Sequence, residues 1–463
     1  MPTEALAIDE GDTSPRRGAF ALLAIGVWLH AADTLVTATL APSIVAELGG
    51  VAYINWTIAL YEVGAIVAGA ASGALCARHG LKRVFVAGVC VYGIGCTAAA
   101  AAPSMLILLL GRLMQGLGGG MLLSLCYLVV QTWYPEGVRG RLYGIVAAIW
   151  GVGSLLGPLI GGVFAGPTWR GAFWLFALQA VLLCGVSIVW LPRARAVEAS
   201  KKWPVLPLLV LTAATLIIAE AGVSRGVTAT MSGLVTGSAL LYVAARIDRR
   251  AATRLLPIET LEIGHTLGAG LAMVFALSVG TTGFWAYGAL IITLLFATKP
   301  LTVGYILAGE ALAWSLATLA VAKLPRQYET TLIRGGAVCT ALGAAGFALT
   351  VPAGSLVGVI ICALLQGAGF GVCWPAIVGR TTRFAGREDE TLAAAAVPTV
   401  QRIGYAVGTA AAGIAANLSG LIDGVSISAA KAAGFWVFAA FVPVLALAVA
   451  SAWRFTRPTG LSM

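Results

Sequence analysis

Charge is scarce in this sequence. Of its 463 residues only 10% are Asp, Glu, Lys or Arg, against 59% hydrophobic, a ratio no soluble globular chain of this length tolerates. Histidine is scarcer still: His30, His79 and His265 are the three, and none stands in a metal-binding or acyltransferase constellation. No GxxxxGK[ST] run is present, which removes a P-loop and with it ATP as energy source. The eight cysteines (Cys76, Cys90, Cys96, Cys126, Cys184, Cys339, Cys362 and Cys373) lie in or beside apolar runs without a CxxC spacing. They read as small membrane residues rather than metal ligands. These absences argue against an enzyme and imply neither cofactor nor metal.

Long apolar runs are what the chain has in their place. A bilayer-spanning helix needs roughly 20 apolar residues. Fourteen segments qualify, at 18–44, 54–76, 84–101, 104–129, 142–165, 171–191, 205–223, 227–246, 266–296, 301–322, 331–351, 355–379, 391–417 and 432–453. The pair at 205–246 has the very short connection Val223–Val227 and reads as two spans or as one re-entrant pair, so the total is fourteen or twelve. The first span is too long for a cleaved signal peptide, and Glu4, Asp9, Glu10 and Asp12 precede Arg16 and Arg17.

The net charge of +10 resembles a nucleic-acid signal until the basic residues are placed. Twenty-three of the 29 Lys and Arg fall in alternate loops, and the opposite loops hold only Arg170, Arg225, Lys299 and Lys431. Arg112 and Arg402 are left inside spans. The positive-inside rule then puts both termini in the cytoplasm. The expected partners are the bilayer, protons and a small-molecule substrate, not nucleic acid, with the chain acting as a monomer. The Ala and Gly content suggests a bacterial plasma membrane.

The chain also repeats itself. Arg112-Leu-Met-Gln115-Gly116-Leu-Gly118-Gly-Gly120 is echoed by Ala363-Leu-Leu-Gln366-Gly367-Ala-Gly369-Phe-Gly371, and Gly153, Gly157 and Gly162 by Gly404, Gly408 and Gly413, both at an offset of 251 residues. One constant offset across two helices predicts two homologous six-helix halves in parallel orientation, the plan of alternating-access carriers. The expected organisation is a tail at 1–17, a first half at 18–191, linkers with two inserted helices at 192–265, a second half at 266–453 and a tail at 454–463.

Within the fifth span, Gly144, Gly153, Gly157, Pro158, Gly161 and Gly162 follow the pattern G-x8-G-x3-G-P-x2-G-G. Gly153, Gly157 and Gly161 share one smooth helix face, which lets a neighbouring backbone approach. This pattern resembles the fifth-helix signature of major facilitator antiporters, which is typical of exporters. Ala32-Asp33-Thr34 with Leu40-Ala41-Pro42 is similar to the first-helix motif of the fourteen-helix drug:proton antiporter branch of that superfamily. The resemblance covers essentially the whole chain. It implies an all-α major facilitator fold of two six-helix halves plus two inserted helices, and proton-driven efflux of small organic molecules.

An intramembrane carboxylate costs roughly 2.5–3.5 kcal/mol or more, so Asp33 is paired, protonated or facing water. His30, one turn earlier on the same face, either shares its proton or packs as a satisfied core residue. Arg112 cannot lose its proton and demands a counter-charge. A carboxylate paired alternately with Arg112 and with a proton would couple proton movement to conformation, as the resemblance also implies. Glu62 and Glu310 occupy near-equivalent places in the two halves at an offset of 248, and either could titrate or bind a cation. Glu220, in the inserted pair, reads as a buried interhelical contact. Thr37, Gln115, Trp150, Trp285, Gln366, Trp374 and Arg402 are the candidates to line a substrate cavity.

Two departures from the superfamily pattern stand out. The loop Gly73-Ala-Leu-Cys-Ala77-Arg78-His79-Gly80-Leu81-Lys82-Arg83 matches its loop signature except that Ala77 replaces the acid and Leu81 a basic residue. Gly73, Arg78, Gly80, Lys82 and Arg83 remain as a loop gate or as a basic topogenic turn. In the thirteenth span Pro398 replaces Asn, and Gln401 and Arg402 have exchanged places, rotating the charge by about 100° around the helix. Uptake of one nutrient, such as a planar flavin-like vitamin, is the alternative on the same fold; a membrane enzyme or a channel is remote.

Overall fold

With no water in the bilayer core, every peptide group in an apolar run must bond within its own segment, so these runs fold as helices. The computed structural model describes residues 14–54, 56–192, 205–221, 224, 227–251, 254, 256–321, 324–384, 386–421 and 426–457. The outer parts of both tails, residues 193–204 of the central linker and most of the Val223–Val227 connection lie outside the described residues.

Two compact units result, one built on α1 to α6 and the other on α7 to α16. The first comprises α1 (Ser14–Leu48), α2 (Trp56–His79), α3 (Leu81–Ala100), α4 (Met105–Trp133), α5 (Glu136–Phe164) and α6 (Arg170–Trp190). The second comprises α7 (Val205–Ala221), α8 (Val227–Arg250), α9 (Thr266–Gly283), a π turn (Phe284–Gly288), α10 (Ala289–Phe296), α11 (Pro300–Val321), α12 (Glu329–Thr350), α13 (Leu356–Phe384), α14 (Gly386–Leu418), α15 (Ile427–Ala439) and α16 (Val442–Phe455). The π turn joins α9 to α10, and α15 and α16 together make one span, Ile427–Phe455.

Among the described residues twelve helices are long and apolar enough to cross a membrane. Of the fourteen expected spans, two fall outside that set. Val205–Ala221 has only 17 residues, and Gly386–Leu418 opens on Gly-Arg-Glu-Asp-Glu and carries Arg402 in mid-helix. The inserted pair belongs to the second unit, where the Asn417 side chain of α14 donates to the Ser224 carbonyl beside α7.

The glycines set how closely the helices approach. A Cβ at Gly116 would overlap the Tyr61 carbonyl, one at Gly120 the Ala65 carbonyl, and one at Gly118 would lie 2.5 Å from the Tyr92 Cβ. Thus α4 lies against α2 on one face and α3 on the other with no room for side chains. In the second unit Gly367 and Gly371 press on the Glu310 and Trp314 carbonyls, and Gly369 on Thr340. The same construction recurs in the repeat.

Gly153, Gly157 and Gly161 bring α5 onto α1. Cβ atoms there would stand 3.0 Å from the Ala31 Cβ, 2.8 Å from the Ala32 carbonyl and 2.7 Å from the Thr39 Cβ respectively. Pro158 and Gly162 are buried in the same helix. Gly144 is exposed, with nothing within 4 Å of where its Cβ would be, so it stands apart from the packing face. Gly80 takes φ of 81° between α2 and α3, the left-handed region open to glycine without strain.

Candidate functional site

The most polar place in the first unit is wholly buried. Asp33 on α1 and Arg112 on α4 are both 0% exposed, and Arg112 Nη1 donates to Asp33 Oδ1 at 3.1 Å and Oδ2 at 3.0 Å. Nη1 also donates to Gln115 Oε1 at 2.9 Å, and Nε donates to the Thr57 carbonyl of α2 at 3.0 Å. Gln115 Nε2 approaches Asp33 Oδ1 at 3.4 Å and the Cys96 thiol of α3 at 3.1 Å. Four helices therefore meet on one ion pair. Nη2 of Arg112 is buried without a hydrogen-bond partner among the described residues. The guanidinium lies over the Tyr61 ring, 4.3 Å from its centroid.

Tyr61 links this pair to a second group. Its hydroxyl bonds His30 Nδ1 at 2.7 Å and donates to the His30 carbonyl at 3.1 Å, and the two rings stack at 5.4 Å. Trp150 meets His30 edge-on at 5.6 Å. Gly119 leaves the space that His30 occupies: a Cβ there would lie 2.6 Å from Nδ1. Thr37, buried, donates to the Asp33 carbonyl at 3.2 Å. Glu62 is buried next to Tyr61, but the bonds of Asp33 and Arg112 go to other groups.

In the second unit Gln366 Nε2 on α13 donates to Glu310 Oε1 on α11 at 3.3 Å, with both side chains buried. Glu310 Oε2 and Gln366 Oε1 have no partner among the described residues. Among the described residues no cation pairs with this acid, and the position matching Arg112 is Ala363. The close approaches also correct the pairing of the acids. Gly116 rests on Tyr61 and its repeat Gly367 rests on Glu310, so Glu310 corresponds to Tyr61 rather than to Glu62.

The remaining candidates separate. Trp374 packs with Phe370 at 5.6 Å and Trp314 at 6.4 Å, and Trp285 meets Phe284 edge-on at 6.0 Å in the π turn. Arg402 is half-buried on α14. Glu220, expected to be buried, is exposed one residue before the end of α7, where a carboxylate can reach the polar boundary. Gly73, Arg78 and Arg83 are exposed and Lys82 is half-buried, and among the described residues no carboxylate pairs with these basic side chains.

Sequence reading missed an ionic clamp in the second unit: Glu329, at the start of α12, accepts from Arg380 at 2.9 Å and also binds Arg383. Arg380 Nε donates to the Phe455 carbonyl at 2.9 Å. The signal was present as an acid in the first helical turn after Pro325. Tyr61 was visible only as an aromatic in an apolar run.

A family profile described as Major Facilitator Superfamily matches residues 23–332. A protein of Mycobacterium tuberculosis named "Probable multidrug-efflux transporter" is 30% identical over 457 residues, covering 95% of this chain and 94% of that protein. The puromycin resistance protein of Streptomyces alboniger is 29% identical over 433 residues, covering 89% and 83%. Among solved structures a D-xylose–proton symporter aligns with a TM-score of 0.67 at 15% identity, over 96% of this chain and 98% of the other. A peptide transporter aligns with a TM-score of 0.68 at 16% identity, over 98% and 97%. At such identities these two likenesses speak to the fold alone.

Proposed function

This chain belongs to the major facilitator superfamily, and we propose that it exports amphipathic organic molecules in exchange for protons. It is a multi-pass membrane transporter and not an enzyme. The fully buried Asp33–Arg112 pair carries the proton-coupled reading. A buried ion pair survives only while both partners are charged, and losing one leaves the other uncompensated at a cost of about 3–5 kcal/mol. Protonating Asp33 therefore releases Arg112, whose Nη2 already has an unused donor, to seek other acceptors. Two conformations that differ in whether this pair is closed would differ in proton affinity, which is the condition for coupling by alternating access.

The outward direction is supported by the names of the similar proteins and by the glycine face of α5 against α1, which adjoins Asp33. Thr37, Gln115 and Trp150 lie on the helices of this cluster, and Gln366 and Glu310 form a separate buried polar site that we assign to cargo selection. The plasma membrane of a bacterium, with both termini cytoplasmic, is the proposed setting.

Liposomes with an acidic lumen and an internal pH dye test the reading directly. Cationic drug added outside should release lumenal protons, and Asp33→Asn should abolish the release. Cargo moving with the protons instead would mean symport, and uptake would replace efflux.

A further inference from the structure

Glu310 and Gln366 hold more hydrogen-bond acceptors than donors, and one proton removes the imbalance. The two side chains are 2% and 1% exposed, and Gln366 Nε2 donates to Glu310 Oε1 at 3.3 Å. A carboxylate offers oxygens that only accept, and the amide adds a further acceptor. Two of these oxygens, Glu310 Oε2 and Gln366 Oε1, are buried without a hydrogen-bond partner among the described residues. A buried acceptor without a donor is costly, and more so when it is charged.

Among the described residues no cation compensates a carboxylate at this place. Glu310 lies on α11, which packs on α13 and α10. α10 has no titratable side chain, and those of α13 are Cys362, Cys373, Arg380 and Arg383. Both arginines are held by Glu329, and they sit roughly 20 Å or more farther along α13 than Gln366. On α12, which meets Gln366 at Gly343, Arg334 is bonded to Thr456 and Cys339 is neutral as a thiol. Lys299, exposed just ahead of α11, is roughly 16 Å of helix before Glu310. An isolated carboxylate in such surroundings takes up a proton rather than stay charged.

We propose that Glu310 is a proton-carrying residue, a neutral carboxylic acid in this conformation with Oε2–H donated to Gln366 Oε1. Acid and amide then close a ring of two hydrogen bonds, and both unpartnered oxygens are used. The repeat agrees with this: Glu310 takes the place of Tyr61, whose hydroxyl donates to the His30 carbonyl at 3.1 Å. A neutral acid keeps an O–H donor at that place, and a carboxylate does not. The second unit thus holds a proton while Asp33, ionised against Arg112, holds none in the first. Exchange of this proton during transport rests on the antiport reading; its presence does not.

Infrared difference spectroscopy of the purified full chain reads this proton directly, with cooperative melting checked for every variant. The wild type should show the carbonyl stretch of a protonated carboxylic acid, shifted down in deuterium oxide. Glu310→Gln, which keeps the shape of the neutral acid, should lose that band. Gln366→Leu should keep the band and move it to higher frequency, because the acid carbonyl loses its N–H donor. Asp33→Asn should leave the band in place even where it abolishes proton release from liposomes, so the two readings fail separately. A wild-type band that survives Glu310→Gln, one that Gln366→Leu does not move, or one lost in Asp33→Asn would each overturn the assignment.

Discussion

The two units repeat one scaffold and fill it with opposite chemistry. In each, a glycine-lined helix (α4 or α13) lies against a carbonyl of its neighbour, at Tyr61 in the first and Glu310 in the second. In each, a glutamine follows at the same register, Gln115 or Gln366. The first unit adds Arg112 and closes it on Asp33, a neutral pair held by four helices. The second replaces the arginine with Ala363 and leaves an acid facing an amide. A duplicated backbone thus keeps its packing residues, which no substitution can satisfy, and frees its polar positions to diverge. The basic ends differ in the opposite sense: among the described residues no acid pairs with Arg78, Lys82 or Arg83, whereas Glu329 gathers Arg380 and Arg383.

The largest expected effect is at the ion pair. Asp33→Ala should leave Arg112 buried and uncompensated, costing about 3–5 kcal/mol, whereas Asp33→Leu with Arg112→Met should recover most of that. Melting of the purified protein in detergent separates these, and a double variant no better than the single would break the comparison. Next come the glycines: Gly116→Ala and Gly367→Ala should each cost about 1–3 kcal/mol, since overpacking meets backbone in both units. Unequal losses in the same melting assay would show that the repeat is not mechanically equivalent.

Smallest is Glu310→Gln, since among the described residues no cation pairs with this acid. Stability should move by about 1 kcal/mol or less, the net worth of one hydrogen bond, far below the ion-pair variant. Drug-driven proton release in liposomes should persist, with transport of cationic cargo reduced several-fold. A Glu310→Gln protein that lost proton release altogether would make the second unit the coupling half.

Much of this was legible in the chain because membrane insertion is read in one dimension. Apolar length marks spans, and a polar residue inside one needs a reason to be there. Asp33, Arg112 and Gln115 were therefore visible as a set, and the 251-residue offset exposed the duplication. The Tyr61–His30 bond was not visible, because it depends on how α1 and α2 rotate about their axes. Counting residues paired Glu310 with Glu62, one position away from the carbonyl register that the glycines establish. Glu220, read as buried, lies near a helix end in reach of the polar boundary, while Asp248, which the sequence did not single out, is buried by a loop folding back onto α8.

The π turn between α9 and α10 sets a phase step in the longest apolar run of the second unit. One surplus residue in a turn rotates everything beyond Gly288 by about 100° relative to a regular helix. Side chains spaced by three or four across Phe284–Gly288 consequently look in different directions, so heptad arithmetic carried through that point would misassign Ile291 and Ile292. Removing a single residue there would restore regular winding and shorten the rod by about 1.5 Å. The step is itself locked by packing, since Phe284 stacks on Phe347 at 4.7 Å and Tyr287 is wholly buried, so the two halves of this rod keep a fixed relative phase.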